Sequence, residues 1–225
     1  MRTIAELLEA VRLEAIRADF PVDRAVYERS AKDPSVPVLF AGSLHAPVCV
    51  FGRDLGKDEV AVGEPLVGAG GRLVRAAIYH DRRGEPPKPT DKRIPSVLED
   101  VLLTNTVPYK PPGNNAYSDA VKERFRPFVA ELLVGHWTGT HVFSLGNQAF
   151  EWFARYSDPG LAAELWAKED RYERDLPCVL TAEIDGRIRR KSIALGPLPH
   201  PSPLNARWYA KFPGLIARRL ERIRA

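Results

Sequence analysis

The chain has 225 residues, 44% of them apolar and 28% charged, enough for a substantial core without metal or disulfide staples, so we expect a single domain over residues 1–225. A net charge of +4 and a pI near 9.1 favour a polyanionic partner, though so small an excess does not establish one. No stretch is long and apolar enough to span a bilayer, the opening Met1-Arg2-Thr3-Ile4-Ala5-Glu6 lacks the apolar core of a signal peptide, and the two cysteines, Cys49 and Cys178, form no metal-binding pattern; we expect a cytoplasmic monomer with no membrane contact, metal or cofactor.

Thr3-Ile4-Ala5-Glu6 is a capping-box pattern, and Ile4, Leu7, Leu8, Val11 and Ala15 follow at helical spacing, which predicts an opening amphipathic helix. Residues 30–47, with several prolines and small residues, read as a connecting loop. Val48–Phe51 is a short apolar run stopped by Gly52, the pattern of a strand buried on both faces. Cys49 within it reads as inert packing. The segment Asp81–Ile94 carries Arg82, Arg83, Lys88, Lys92 and Arg93 among prolines, and reads either as a mobile basic loop or as a surface insertion without a role. Leu102-Leu103 leads a second strand and Val142–Gly146 a third, with a helix over Gln148–Tyr156. Val179–Ile184 and Arg187–Lys191 flank Asp185-Gly186, a two-residue hairpin signal, and a fourth strand runs over Ser192–Leu195. The last helix turns Leu215, Ile216, Leu220 and Ile223 inward and leaves Arg218, Arg219 and Arg222 on a solvated face.

Strands alternating with helices predict an α/β fold, a three-layer αβα sandwich around a mostly parallel four-stranded sheet. In such sheets ligands bind beyond the C-terminal strand ends. Three polar segments begin where predicted strands stop, which points to one shared site. The first is Gly52-Arg53-Asp54-Leu55-Gly56, running on to Gly63-Glu64-Pro65-Leu66-Val67-Gly68-Ala69-Gly70-Gly71. The second is Thr104-Asn105-Thr106-Val107, followed by Pro111-Pro112-Gly113-Asn114-Asn115. The third, His200-Pro201-Ser202-Pro203-Leu204, sets an imidazole, a turn stiffened by two prolines and an apolar tip within five residues. Such a loop suits an enzyme that pushes a base out of DNA; on its own it reads equally as a proline-rich turn with a solvated histidine. Asp54 after a strand commonly caps a helix or turn, and Asn105 at a strand end can simply satisfy backbone groups.

Together, in this order over residues 48–205, the three segments resemble the motifs of the uracil-DNA glycosylase superfamily. His-Pro-Ser-Pro-Leu is similar to the leucine loop of the standard uracil-excising branch, whereas Gly-Glu-Pro-Leu-Val-Gly and Pro-Pro-Gly-Asn-Asn look more like the thermophile-type iron–sulfur branch. The resemblance implies hydrolysis of uracil from DNA, with an abasic site left behind. Asp54 then orients a water and offsets the sugar's positive charge, and His200 donates to uracil O2. Asn105 reads the base, because its amide accepts from N3–H and donates to O4 while cytosine presents the reverse. Ser202 and neighbouring N–H groups hold a phosphate, and Leu204, at the apex of the loop and next to Pro203 on its DNA-binding side, is the wedge.

The sequence also departs from the family. Leu66 stands where the iron–sulfur branch stacks a phenylalanine on uracil, so stacking is either weakened or supplied by another ring, Phe51 or Tyr109, with a consequence for affinity or base choice. Gly56 stands where the standard branch has the tyrosine that excludes the thymine methyl group, a space that Glu59 could fill. Phe125 replaces one cluster cysteine, so no cluster is expected. These departures imply a divergent, cluster-free branch whose partner is DNA containing uracil or other deaminated bases such as hypoxanthine and xanthine. A catalytically silent DNA-damage-binding protein of the same fold is the rival; Asp54 together with His200 argues against silence.

Overall fold

The computed structural model describes residues 1–88, 91, 93–113 and 115–224. Lys92 of the basic segment and Asn114 of the Pro-Pro-Gly-Asn-Asn stretch lie outside the described residues. In chain order the elements are α1 (Ile4–Arg17), α2 (Arg24–Arg29), β1 (Phe40–Gly42), β2 (Val48–Gly52), α3 (Lys57–Val62), α4 (Ala69–Arg83) and β3 (Val101–Asn105). Then come α5 (Asp119–Glu131), β4 (His141–Leu145), α6 (Asn147–Ala154), α7 (Pro159–Ala167), β5 (Leu176–Ile184), β6 (Arg187–Leu198), α8 (Ala206–Tyr209) and α9 (Phe212–Arg224). The Thr3 hydroxyl and the Glu6 carboxylate close the capping box that starts α1.

The sheet has six strands in the order β1-β3-β2-β4-β6-β5, not four. Its centre, β3-β2-β4-β6, is parallel and contains the four strands expected from the sequence. Antiparallel edges add the other two. β1, inside the stretch read as a loop, is three residues long and pairs with β3, too short to show any alternation. β5 is the first hairpin arm, and the second arm and the fourth strand prove to be one continuous strand, β6. Asp185 and Gly186 both take positive φ (53° and 70°), as a tight turn matched to strand twist requires.

Every residue of β2 and β3 is buried because helices cover both faces of the sheet. Side chains alternate between the two layers with period two. Cys49 and Phe51 join a core with Leu7, Val11, Phe125, Val129 and Phe153, while Val48 and Val50 join one with Val74, Ile78, Leu215 and Ile216. Fully burying a side chain such as Phe51 contributes about 1.5–3 kcal/mol, so this two-sided burial is what fixes the strand register. Among the described residues no helix is long and apolar enough to cross a membrane.

Two local expectations are corrected. Asp81–Arg83 form the last turn of α4, stopped by Gly84 at φ 75°, rather than a loop, and Arg82 and Arg93 pair with Asp100 and Asp91. Arg219 is not on a solvated face. It lies four residues after Leu215 on the inward side of α9, 3% exposed, with its guanidinium donating to the carbonyls of Tyr172, Arg174 and Pro197 and paired with Asp175. Gly196 makes the room: a Cβ there would stand 2.3 Å from Arg219 Nη1.

Candidate active site

The segments after β2, β3 and β6 converge on a cleft of about 430 Å³ at the C-terminal edge of the parallel strands. Asp54, Gly56, Glu59, Leu66, His200 and Pro201 line it. Gly146, at φ 83° after β4, lets the third segment close over the strand end, since a Cβ there would lie 3.2 Å from His200 Cβ. Gly70 does the same on the other side, where a Cβ would meet Pro201 O at 2.8 Å.

Asp54 puts its carboxylate into protein, its side chain 2% exposed. Oδ2 lies 3.0 Å from Arg53 Nε in an ion pair that lacks the alignment of a hydrogen bond, so both atoms are buried without a bonded partner. Thr106 Oγ1 stands 3.4 Å from Oδ1 and also donates to the Arg53 carbonyl. Burial pushes the Asp54 carboxyl above the ordinary aspartate value, against the pull of Arg53, Lys122 and the Tyr117 N–H. A buried carboxylate at the cleft wall whose Oδ2 is held only by the Arg53 ion pair is suited to stabilising a positive charge.

Asn105 ends β3 opposite Gly52 of β2. It is 2% exposed, and its Oδ1 has no partner. It stands behind the cleft rather than lining it: Gly52 forms the wall, and a Cβ there would lie 2.4 Å from Asn105 Oδ1. Leu66 Cδ2 packs on the same glycine. Leu66 itself is held at φ 56°, a left-handed conformation that costs a non-glycine residue on the order of 1–3 kcal/mol. Arg75 holds it there, donating to the carbonyls of Leu66 (2.9 Å) and Pro65 (3.0 Å) while paired with Glu64. Gly71 is obligatory, since a Cβ would lie 2.0 Å from Leu66 O.

Glu59 is buried and accepts three backbone N–H bonds, from Gly56 (3.0 Å), Val67 (3.0 Å) and Gly68 (2.7 Å), which ties the two halves of the first segment together. Its Oε2 stands 2.5 Å from where a Gly56 Cβ would be, so the carboxylate occupies the space beside Gly56.

Phe51 and Tyr109 do not reach the cleft, a correction to the stacking expectation. Phe51 points to the other face of β2, where its ring packs on Trp152 (5.0 Å) and Phe153 (4.6 Å). Tyr109 is sealed among Phe20 and Phe125, its hydroxyl donating to Ser35 O at 3.0 Å. Phe125 thus sits in an aromatic cluster. His200 supplies the one aromatic ring among the described lining residues.

His200 keeps an exposed face, yet the protein around it and, next, the Arg53 guanidinium hold its imidazole below the ordinary histidine value, which favours the neutral ring. The loop beyond it is braced internally: Ser202 N–H and Asn205 Nδ2 donate to His200 O, and Ser202 Oγ accepts from Leu204 N–H. Ser202, Pro203 and Leu204 do not line the cleft. Leu204 is 96% exposed at the tip, an apolar side chain with nothing to cover it.

Residues 40–224 match the family model of the Uracil DNA glycosylase superfamily. The chain belongs to that superfamily. A search of curated proteins finds no match. Membership makes it a DNA glycosylase, a hydrolase of base excision repair that acts on DNA. Five residues at or behind this cleft were given no role in the sequence: Arg53, Thr106, Arg75, Lys110 and Asp23. The first two flank Asp54 and Asn105, and their neighbourhood was the available signal. Arg75 offered none, because an arginine inside an amphipathic helix reads as its solvated face.

If Asp54 serves the reaction as an ionised carboxylate, kcat/KM should fall as pH drops through its raised value. The acid limb, measured under single-turnover conditions, is therefore expected above the ordinary aspartate value, near 3.9. A limb at or below that value would mean that Asp54 is not the group being titrated.

Proposed function

We propose that this glycosylase removes uracil from DNA by a monofunctional, metal-independent hydrolysis. The observation that carries the reading is a buried carboxylate lining the cleft and a buried amide just behind its Gly52 wall, each with an oxygen that accepts no hydrogen bond, with the His200 imidazole lining the same cleft. In the reaction the C1′–N1 bond breaks with its electron pair going to the base. The sugar becomes cationic and the departing uracil anionic. Asp54 offsets the sugar's charge and takes a proton from the water whose oxygen bonds C1′; His200 donates its N–H to uracil O2. Asn105 pairs with N3–H and O4 of the extruded base.

One observation favours a wider base range. With Phe51 and Tyr109 in the core, Leu66 is the wall against the base, and an aliphatic side chain does not select a planar pyrimidine by stacking. Hypoxanthine and xanthine are the further candidates. Cleavage of labelled oligonucleotides bearing uracil, hypoxanthine, xanthine or thymine, single-stranded and paired, with alkali to reveal abasic sites, separates these readings. Uracil excised fastest supports ours. A purine excised faster, or no excision of any base, overturns it.

Leu204→Ala is expected to slow excision from duplex DNA about tenfold and from single strands by no more than about twofold. The duplex alone imposes the few-kcal/mol cost of unpairing and unstacking that an inserted side chain offsets. Single-turnover rates should show the largest defect for uracil opposite adenine, an intermediate one opposite guanine and the smallest when unpaired. Equal defects on all three would assign Leu204 to loop folding.

A further inference from the structure

We propose that residues 23–27, which precede the family-matched part of the chain, are a working wall of the base cleft, with Asp23 and Lys110 as positioning residues for the loop after β3. The proposal rests on the cleft being where this glycosylase receives its base. Asp23 and Val26 line the cleft alongside Lys110, Pro111 and Gly113. Three kinds of contact bind the two segments. The Asp23 carboxylate accepts from Gly113 N–H at 3.1 Å and stands 3.2 Å from Lys110 Nζ. The Asp23 N–H donates to Lys110 O at 3.0 Å, and Lys110 N–H donates to the Tyr27 hydroxyl at 3.1 Å. Behind them Val26 and Tyr27 pack on Val60 of α3, so the same five residues also brace the helix that follows Asp54.

A lysine lining the cleft of a DNA enzyme reads first as a phosphate contact. Its surroundings argue otherwise. The Lys110 side chain is 5% exposed, and Nζ already serves the Pro111 and Gly113 carbonyls as well as Asp23, so its three donors are occupied inside the protein. Its charge is also neutralised where it stands. Lys110 therefore folds the loop against α2 and adds no net attraction for the DNA backbone.

The test combines kinetics with salt dependence on the full chain, using Asp23→Asn, Lys110→Gln and the double variant. Asparagine keeps the N-cap of α2, so Asp23→Asn removes the charge and leaves the helix start. On whichever base the wild type excises fastest, each single variant should raise KM about tenfold with kcat within about twofold, and the double variant should lose no more than the worse single, because the two side chains act as one unit. A merely structural role would instead lower kcat through the lost folded fraction at unchanged KM. Binding to duplex carrying an uncleavable abasic analogue should keep its salt slope in Lys110→Gln, whereas loss of a phosphate contact would reduce the slope by about one. A slope reduced by that amount, losses that multiply in the double variant, or a kcat defect at constant KM would each overturn the proposal. A wild type that excises no base would sink the preceding reading alone, since the salt slopes would still decide this one.

Discussion

Asp54→Asn is expected to lower single-turnover excision a hundredfold or more, on the order of the loss seen when a group aimed at transition-state charge is removed, while binding to uncleavable abasic DNA stays within about threefold. The asymmetry follows from when the charge is needed: the bound nucleotide is neutral at C1′, and the carboxylate gains its interaction only as the sugar turns cationic. The same substitution should stabilise the fold. Burial raises the Asp54 carboxyl above its unfolded value, so between those two values folding takes up a proton and stability falls as pH rises; above that window the full cost of the buried charge is present. At neutral pH the amide removes that cost, and Arg53, a third exposed, can turn to solvent. A gain of about 0.5–2 kcal/mol, read as a higher Tm or denaturation midpoint, is the usual size for relieving a functional site. Wild-type excision by this variant would show that another group activates the water. A loss of activity together with a lower Tm would assign Asp54 to structure.

The parallel centre of the sheet was legible because burial on both faces forces continuous apolar runs, and Val48–Phe51 and Val142–Leu145 could hardly be anything else. β1 was not, because three residues carry no period. β6 was read as two pieces since its first half is an exposed hairpin arm and its second a buried central strand, and the change in pattern at Ile193 looks like a boundary although the backbone continues. Arg219 shows the complementary failure. A buried guanidinium satisfied by three carbonyls is invisible until the segment before β5 and the end of β6, which supply them, are placed.

The candidate site residues were picked from strand ends and motif order, which is where local sequence is most informative. What could not be read was orientation. Phe51 and Gly52 are neighbours, yet alternation along β2 sends the ring into the helical layer and leaves only backbone at the cleft. Glu59 was noticed as an acid near the glycine; its three N–H donors arrive from residues three to nine positions away, through a turn whose path depends on the left-handed Leu66. Asp23 lay outside any motif, and its tie to Lys110 spans most of the first half of the chain.

Asn105→Asp should carry the other large effect, a fall in uracil excision of about a hundredfold or more, since a site built to pair with polar edges loses most when its donor pattern is broken. Uracil offers N3–H and accepts at O4. The wild-type amide matches both from one side chain, and its unpartnered oxygen has no competing bond to give up. An ionised carboxylate still accepts from N3–H but sets oxygen against O4. A protonated one carries an acceptor and a donor and can present them in either order: it accepts from N3–H and donates to O4 as the amide does, or accepts from the cytosine amino group and donates to N3, the pairing that the oriented amide refuses. Burial favours protonation as pH falls, because the position is 2% exposed and stands behind the cleft that Asp54 lines. The hundredfold loss on uracil should therefore hold where the carboxyl is ionised and lessen as pH falls, while cytosine excision rises over the same range, so that the ratio of the two changes with pH; single-turnover rates on paired uracil and cytosine substrates at several pH values are the measurement. Unchanged uracil excision would place base reading elsewhere in the cleft. A ratio independent of pH would mean that the introduced carboxyl never meets the base.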